Sequence, residues 1–261
     1  MPEHRPVLRD QKQSVREHFG PVAARYATAN VHRAGPDLAA LVELSEVAGH
    51  ERVLDVGCGA GHTALQLAPH VSRVDALDLT RAMLDQVERL AAERGLENVS
   101  TTLGDAEAIP FPDETFDVVT CRLCAHHFQR PGRAASEIFR VLAPGGRLIL
   151  IDIVSPDAPE LDTFLNAFEL LRDPSHVRDH TLAQWQAMLG ACGFDVDHCA
   201  SWPMRIEFDA WLVRIGAPPE AARALRFMFG LASREVRAHF EIDERDDFTL
   251  TNALIRARRP A

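Results

Sequence analysis

Long hydrophobic runs are missing from this sequence of 261 residues, and cysteine is scarce. The longest aliphatic run, Leu148 to Val154, is far too short to cross a bilayer. The stretch 1–14 is polar and lacks the apolar core of a signal peptide. The five cysteines are an odd number without the spacing of a disulfide framework, which is typical of a reducing compartment. We therefore expect a cytoplasmic protein with no membrane insertion.

An excess of positive charge is also absent. Lysine and arginine together number 28 against 38 aspartates and glutamates, so the formal net charge is −10. Such a protein is poorly suited to a phosphate backbone, because nucleic-acid binding depends largely on basic residues. Aromatic residues make up only 7%, with a single tyrosine, and offer no stacking platform that would identify a ligand. We expect a small-molecule partner and no nucleic acid, with a monomer and a homodimer both left open.

Short apolar segments alternate with helix-length segments through the middle of the chain. Several of the apolar segments are hydrophobic on both faces, as burial in a parallel sheet requires. This alternation predicts a parallel sheet with helices on both of its faces. The predicted strands are RVLDV, RVDALDL, VSTTLGD, FDVVTCR and GRLILIDIV.

The rhythm changes after Val154, where helical segments become more frequent. A helix with an apolar stripe is followed by a second helix that begins with a capping box at Thr181 and Gln184. Three further segments complete the chain: the strand FDVDHCA, a helical stretch at about 206–243 and the strand DFTLTNALIRARR. We predict a Rossmann-like, doubly wound α/β sheet of seven strands with the last strand antiparallel. The insertions at about 155–180 and 206–243 are expected to cover its open end.

Three glycines follow the first predicted strand at alternate positions, Gly57, Gly59 and Gly61. Ligands of open α/β sheets bind outside the carboxyl ends of the strands, and glycine lets the backbone approach them closely. A dinucleotide fingerprint would need glycine at position 62, which is His62. The pattern therefore indicates a ligand that contains a nucleoside. It is not the glycine pattern that binds dinucleotides.

Acidic residues end three successive strands. Asp55 would repel a pyrophosphate but attract a ligand with an ammonium or sulfonium group, although it could also merely cap the following turn. Asp78 lies 21 residues after Gly57, the spacing at which an acid accepts ribose hydroxyls. Asp105 is placed to accept from an adenine amino group, with the Ala106 amide available to a ring nitrogen. S-adenosylmethionine, a cationic nucleoside without phosphate, fits all three acids.

These segments resemble the successive motifs of class I S-adenosylmethionine-dependent methyltransferases. The closest variety is the type 11 group, which is related to the ubiquinone/menaquinone C-methyltransferases. Segments outside the core are similar to an uncharacterised, YafE-like bacterial branch. The core motifs are VLDVGCGAGHTA, ALDLTRAML, GDAEAIPFPDETFDVV and RVLAPGGRLILIDI, and the outer segments are HFGPVAARYATANVHRAGPDL, CRLCAHHF and LLRDPSHVRDHTLAQW.

The resemblance implies a methyltransferase domain at 41–261 and a helical segment at 1–40 that folds over the cofactor. We expect that N-terminal segment to contain a helix with a capping box at Ser14 and Glu17. The cofactor would be S-adenosylmethionine, leaving S-adenosylhomocysteine as the product. The implied cofactor-binding residues are Tyr26, Asp55, Gly57, Cys58 through its backbone, Gly59, Asp78, Leu79, Met83, Asp105, Ala106 and Arg122.

Two adjacent histidines, His126 and His127, follow the fourth strand, where the methyl group and its acceptor should meet. Histidine is the side chain most readily used as a base near neutral pH. We expect at most one of the two to face the acceptor, as a catalytic base or a positioning group, with a structural histidine as the alternative. Cys121 and Cys124 have CxxC spacing but no second pair, so we expect neither a metal nor a redox role.

Candidate acceptor-binding residues lie in the segments outside the core. His32, His176 and Arg178 could bind an acidic or carbonyl-bearing acceptor, or could lie in solvated loops. Phe227 and Met228 could line an apolar acceptor pocket or form the core of a helical lid.

The predicted function is transfer of a methyl group to an O, N, C or S atom of a small molecule by in-line displacement. An NAD(P)-dependent oxidoreductase is one alternative, although the absent glycine at position 62 and Asp55 both count against it. A non-catalytic S-adenosylmethionine-binding protein is another. A nucleic-acid methyltransferase is disfavoured by the acidic charge and by CRLC in place of an NPPY-like segment.

Overall fold

The computed structural model describes residues 10–28 and 35–261. Seven strands form one sheet in the order β3-β2-β1-β4-β5-β7-β6. β1 to β5 are parallel, and β7 runs antiparallel to both β5 and β6. The predicted seven-stranded sheet with an antiparallel last strand is confirmed. The strands are β1 (Arg52–Val56), β2 (Arg73–Asp78), β3 (Val99–Leu103), β4 (Phe116–Arg122), β5 (Leu142–Ile153), β6 (Asp195–Ile206) and β7 (Phe248–Arg258).

Helices pack on both faces of the sheet and at one of its ends. No helix among the described residues is both long and apolar enough to cross a membrane. Short 3-10 turns occupy Ala68–His70 and Ala125–His127. The helices are α1 (Gln11–Phe19), α2 (Ala23–Thr28), α3 (Pro36–Leu44), α4 (His62–Leu67), α5 (Arg81–Glu93), α6 (Pro131–Val141), α7 (Pro159–Arg172), α8 (Leu182–Ala191), α9 (Phe208–Ile215), α10 (Pro219–Gly230) and α11 (Arg234–His239).

The two faces of the sheet carry separate hydrophobic cores, because successive strand residues point to opposite sides. In β1, Val53 packs with residues of α3, α4 and α5, whereas Leu54 packs with residues of α6 and α8. Ile149 and Leu150 of β5 divide between the two cores in the same way. Burial on both faces explains why these strands are nearly continuous hydrophobic runs.

A third, aromatic core joins α7 to α9, α10 and α11 beyond the ends of β5, β6 and β7. Phe168 of α7 is fully buried there, among the rings of Trp211, Phe229, Phe240 and Phe248. The helices predicted after Val154 and at about 206–243 are therefore present as α7 and as α9–α11, whereas residues 173–180 are not helical. We call α7 and α9–α11 the cover.

The two predicted capping boxes have different outcomes. At the start of α8, the Thr181 side chain accepts from the Gln184 amide and the Gln184 side chain accepts from the Thr181 amide, as expected. The box at Ser14 is wrong, because α1 begins at Gln11 and the Ser14 amide already donates to the Asp10 carbonyl. The glutamine and lysine residues before Ser14 are good helix formers, so the helix extends past it toward the N-terminus.

Candidate functional site

A cavity opens at the carboxyl ends of the parallel strands, where β1, β2 and β4 end in loops. Every residue expected at the cofactor lines it, and so does one of the two histidines. These residues are Tyr26, Asp55, Gly57, Cys58, Gly59, Asp78, Leu79, Met83, Asp105, Ala106, Arg122 and His127. Residues separated by up to 101 positions in sequence, Tyr26 and His127, therefore meet at one edge of the sheet.

The glycine-rich turn bounds the floor of this cavity. Gly57 has φ +63°, and a Cβ there would lie 1.9 Å from the Cys124 Sγ. Gly59 has φ +51°, but a Cβ there would meet no atom within 4 Å. Gly57 is thus required by packing against the loop after β4, whereas Gly59 adjoins open space.

Asp55 is buried at the end of β1. Its Oδ1 accepts from the Thr120 hydroxyl at 2.7 Å, and its Oδ2 accepts from the Ala64 amide in the first turn of α4 at 3.2 Å. Burial raises the pKa of this carboxyl to about 7, although both hydrogen bonds oppose the rise. The Asp55 carboxyl group therefore accepts a hydrogen bond from one amide of the helix after the glycine turn, which is close to the simpler role considered for it, while it also lines the cavity.

Asp78 fixes the glycine turn to the end of β2. Its Oδ2 accepts from the Gly59 amide at 2.9 Å and its Oδ1 from the Thr80 amide at 2.8 Å. Burial raises the pKa of this carboxyl as well, against those backbone hydrogen bonds. Each oxygen keeps a further lone pair, so Asp78 can still accept from a ligand.

Asp105 is engaged by the N-terminal helix. Its Oδ1 accepts from the Glu107 amide at 2.9 Å, and its Oδ2 forms an ion pair with Lys12 of α1. Lys12, the single lysine of the sequence, also contacts the Glu107 carboxylate at 3.0 Å. Sequence reasoning missed Lys12 and Glu107, because no local pattern indicates that α1 lies across the end of β3.

Aromatic and polar contacts complete the placement of α1 and α2. The Phe19 ring makes edge contacts with Tyr26 at 5.4 Å and with His127 at 5.1 Å, measured between ring centroids. His62 Nε2 lies 3.0 Å from the Tyr26 carbonyl oxygen and so connects α2 to α4.

Arg122 is buried and donates from Nε to Asp37 of α3 at 2.6 Å. Asp37 and Phe19 were also missed from the sequence.

His127 presents its ring to the cavity as a neutral imidazole. Its Nδ1 lies 3.0 Å from the Ser175 carbonyl oxygen, which can only accept, so Nδ1 carries the proton. Burial and the neighbouring positive charge of His126 lower the pKa of His127 to about 4. The other nitrogen, Nε2, consequently bears a lone pair at neutral pH.

His126 has the opposite charge state and does not line the cavity. Its Nδ1 lies 2.7 Å from Asp152 Oδ1, and its backbone amide donates to Asp152 Oδ2 at 3.0 Å. Burial disfavours protonation, but the Asp152 carboxylate outweighs it and raises the pKa of His126 to about 10. Of the two histidines, His127 lines the cavity and His126 does not, and the catalytic role of either one stays a prediction.

The sequence matches a family described as "Methyltransferase domain" over residues 54–150. It is 40% identical over 222 residues to the uncharacterised methyltransferase YcgJ of Bacillus subtilis (strain 168), covering 85% of this chain and 88% of that protein. The uncharacterised protein YafE of Escherichia coli (strain K12) is 37% identical over 205 residues, with 78% and 99% covered. The C-methyltransferase UbiE of Serratia proteamaculans (strain 568) is 30% identical over 223 residues, with 73% and 87% covered.

The crystal structure of YcgJ has the same fold, with a TM-score of 0.83 at 37% sequence identity over 86% of this chain and 98% of that one. This chain belongs to the class I S-adenosylmethionine-dependent methyltransferases of the UbiE-like type. The methyltransferase thus takes S-adenosylmethionine as its cofactor, and the oxidoreductase alternative is not supported.

The charges at the cavity of this methyltransferase fit a cationic nucleoside without phosphate. Asp55, Asp78 and Asp105 line it. The basic side chains Lys12 and Arg122 also line it, but each is paired with an acid of the protein. A pyrophosphate would therefore meet the Asp55 and Asp78 carboxyl groups, and no cation among the described wall residues is left unpaired to offset them.

Four of the remaining acceptor candidates do not line the cavity. His176 is buried, with Nε2 3.2 Å from the Asn166 side-chain oxygen, and Arg178 forms an ion pair with Asp162 at 2.7 Å. Phe227 is 70% exposed and Met228 packs against the aromatic core of the cover. Residues two apart on a helix point to opposite sides, so burial of Phe229 leaves Phe227 facing outward. His32 lies outside the described residues.

The CxxC cysteines behave as packing residues. Cys121 is fully buried, and a hydrogen bond between Cys124 and Cys121, together with burial, raises the pKa of Cys124 well above its usual value. The Cys124 thiol is therefore protonated and a poor nucleophile or metal ligand. Among the described residues, His126, Asp152 and Asp179 place possible ligand atoms within 4.8 Å of one another. Because His126 and Asp152 already form an ion pair, we retain the prediction that no metal is bound.

Proposed function

We propose that this methyltransferase methylates a nucleophilic O, N, C or S atom of a small-molecule acceptor bound beside His127. The single observation that carries the proposal is the neutral His127 ring at the wall of the cavity, with Nδ1 bonded to Ser175 and Nε2 carrying a lone pair. We infer that the cofactor is held by the eleven cofactor residues predicted from the sequence, which all line that cavity.

The bound sulfonium supplies an electrophilic methyl group. The chain's own contribution is alignment of the acceptor and exclusion of water, which together are worth several kcal/mol. His127 Nε2 would accept any proton that the acceptor's nucleophilic atom must lose when it takes up the methyl group. The Asp173 Oδ2 lies 3.9 Å from Nε2 and would stabilise the imidazolium that forms.

The low pKa of His127 limits when that proton can move. A base with a pKa of about 4 cannot remove a proton from a neutral hydroxyl beforehand. It can accept the proton during methyl transfer, because an oxygen that gains a methyl group becomes far more acidic. A carboxylate or thiolate acceptor would instead need only orientation by this residue.

The proposal is tested with methyl-labelled S-adenosylmethionine and an extract of the source cells. A labelled small molecule is expected, and its structure identifies the acceptor and the methylated atom. With that acceptor, His127→Ala should lower kcat at least tenfold and leave S-adenosylhomocysteine affinity within twofold. His50→Ala is the matched control, since the His50 side chain is 80% exposed. Full activity of the His127 variant would refute the proposed role.

A further inference from the structure

Two arginines of the cover, Arg172 and Arg214, have fewer hydrogen-bond partners among the described residues than buried guanidinium groups usually require. Arg172 ends α7, and its side chain is only 11% exposed. Its guanidinium carbon lies 4.5 Å from the Trp211 ring centroid, so stacking fixes its position. Its polar contacts are long, at 3.4 Å to the Trp211 carbonyl and 3.5 Å to the Glu169 carboxylate, and its buried Nε has no partner among the described residues.

Arg214 adds a second cation at the same place. It follows Trp211 by three residues in α9, which puts both side chains on one face of the helix. Within residues 10–28 and 35–261 it forms no hydrogen bond or ion pair. Burial and repulsion from Arg172 lower the pKa of Arg214. Two half-buried like charges at one site are unfavourable unless an anion offsets them.

The acidic residues near these two arginines do not fully offset the two positive charges. Glu169 is buried beside Arg172, and burial raises the pKa of its carboxyl. Asp173 accepts from the Ser175 hydroxyl at 2.6 Å and from the Ser175 amide at 2.8 Å, and it also faces His127 and His18 at 3.9 Å. The Asp173 carboxylate therefore already interacts with Ser175 and the two histidines.

Tyr26 connects this pair of arginines to the cavity. Its side chain lines the cavity, while Arg172 and Arg214 both act on its hydroxyl, lowering a pKa that burial raises. Helix α2 contacts α9 directly, because Arg25 Nη1 donates to the Val213 carbonyl at 3.2 Å. The arginines thus lie next to α2 and Tyr26, although neither of them lines the cavity itself.

We propose that Arg172 and Arg214 form a subsite for an anionic group, a carboxylate or a phosphate, carried by the methyl acceptor. Guanidinium groups bind both anions through paired, charge-assisted hydrogen bonds. The inference rests on the proposed function, since it assumes an acceptor in the cavity. It narrows the acceptors to acidic small molecules.

The test uses the full chain saturated with S-adenosylhomocysteine and inorganic phosphate as the probe, followed by calorimetry. Saturable phosphate binding is expected, weakened at least tenfold in Arg214→Gln and in Arg172→Gln. Arg223→Gln should bind phosphate within twofold of the wild type, because Arg223 is 69% exposed and pairs with Glu220. Acetate in a second titration distinguishes a subsite that prefers carboxylates from one that prefers phosphates.

The Arg172→Gln variant also loses the stacking on Trp211, so circular dichroism checks that it still folds. If the Arg172→Gln variant is misfolded, the binding measured for Arg214→Gln decides the outcome. Absence of saturable binding of both anions to the wild type, or unchanged binding by Arg214→Gln, would overturn the proposal. A tenfold loss of S-adenosylhomocysteine affinity in Arg214→Gln would also overturn it, by assigning the arginines to the cofactor's own carboxylate. Failure of the wild type to bind S-adenosylhomocysteine would instead contradict the proposed function.

Discussion

At the scale of single residues, the two adjacent histidines have opposite charge states because they face different partners. His126 lies against the Asp152 carboxylate, and His127 donates to a backbone carbonyl beside the charged His126. Burial disfavours the charged form of both rings, so the partner decides which ring keeps its proton. Such divergent pKa values in one cleft are typical of functional sites.

This difference predicts a pH dependence of stability. The pKa of His127 is lowered to about 4 in the folded state, so between about pH 6.5 and 4 the unfolded state binds the proton and the folded state does not. The wild type should therefore lose stability as the pH falls through this window, by about 2 kcal/mol from this group. Urea unfolding of wild type and His127→Gln at pH 7 and 4.5 measures the difference.

In that experiment the variant should gain stability relative to the wild type at the lower pH. His50→Gln serves as the control and should show no such change, because His50 is exposed. A constant difference between His127→Gln and wild type at both pH values would contradict the lowered pKa.

The glycine turn gives a second prediction at the residue scale. Gly57→Ala combines a left-handed φ with overlap against Cys124 Sγ, whereas Gly59→Ala has only the unfavourable φ. We expect losses of about 3 kcal/mol and about 1 kcal/mol, respectively, in the free energy of unfolding. Chemical denaturation of both variants checks the ranking, and equal losses would contradict it.

At the scale of elements, α1 is attached to the sheet by few contacts. None of its residues is fully buried, and its ion pairs from Lys12 to Asp105 and Glu107 are its main polar link to the strand ends. An element with little buried apolar area opens locally at a low free-energy cost. Its attachment should therefore be sensitive to a single substitution.

Lys12→Gln is predicted to loosen α1 without unfolding the protein. A partly buried ion pair is worth about 1 kcal/mol, so amide hydrogen exchange in α1 should accelerate about fivefold. Gln13→Ala removes an exposed contact to Glu17 within the same helix and is the matched control. Equal exchange in wild type and Lys12→Gln would show that the ion pairs do not hold this helix.

At the scale of the whole molecule, the cover has a hydrophobic core of its own. Its aromatic residues are separate from the two cores on the faces of the sheet. The cavity is lined instead by the strand-end loops and by residues of α1, α2, α4 and α5. Damage to the cover core should therefore lower stability more than cofactor affinity.

Phe168→Ala tests this separation. Removing a fully buried ring that contacts several other rings should cost about 4 kcal/mol of unfolding free energy. S-adenosylhomocysteine affinity of the folded variant should stay within threefold of the wild type. Phe227→Ala, at a site that is 70% exposed, should change stability by less than about 0.5 kcal/mol. A large loss of affinity in Phe168→Ala would show that the cover shapes the cofactor cavity.

Local sequence patterns were sufficient to predict those features whose interactions lie within a short stretch of the chain. Strand ends, the glycine turn and the acids Asp55, Asp78 and Asp105 could be located because hydrophobic periodicity and parallel topology put them at one edge. The capping box at Thr181 was found for the same reason, since all its hydrogen bonds are local. The box at Ser14 was wrong because the same four-residue pattern also occurs inside a helix.

The sequence by itself determined the sheet, the cofactor class and eleven of the residues that line the cavity. Only the tertiary structure decided that Lys12 pairs with Asp105, that Asp37 pairs with Arg122, and that His127 faces the cavity while His126 pairs with Asp152. These are contacts between elements distant in the chain, and their direction depends on how helices pack on the sheet. Periodicity fixes which face of an element is buried, but not which distant side chain meets it.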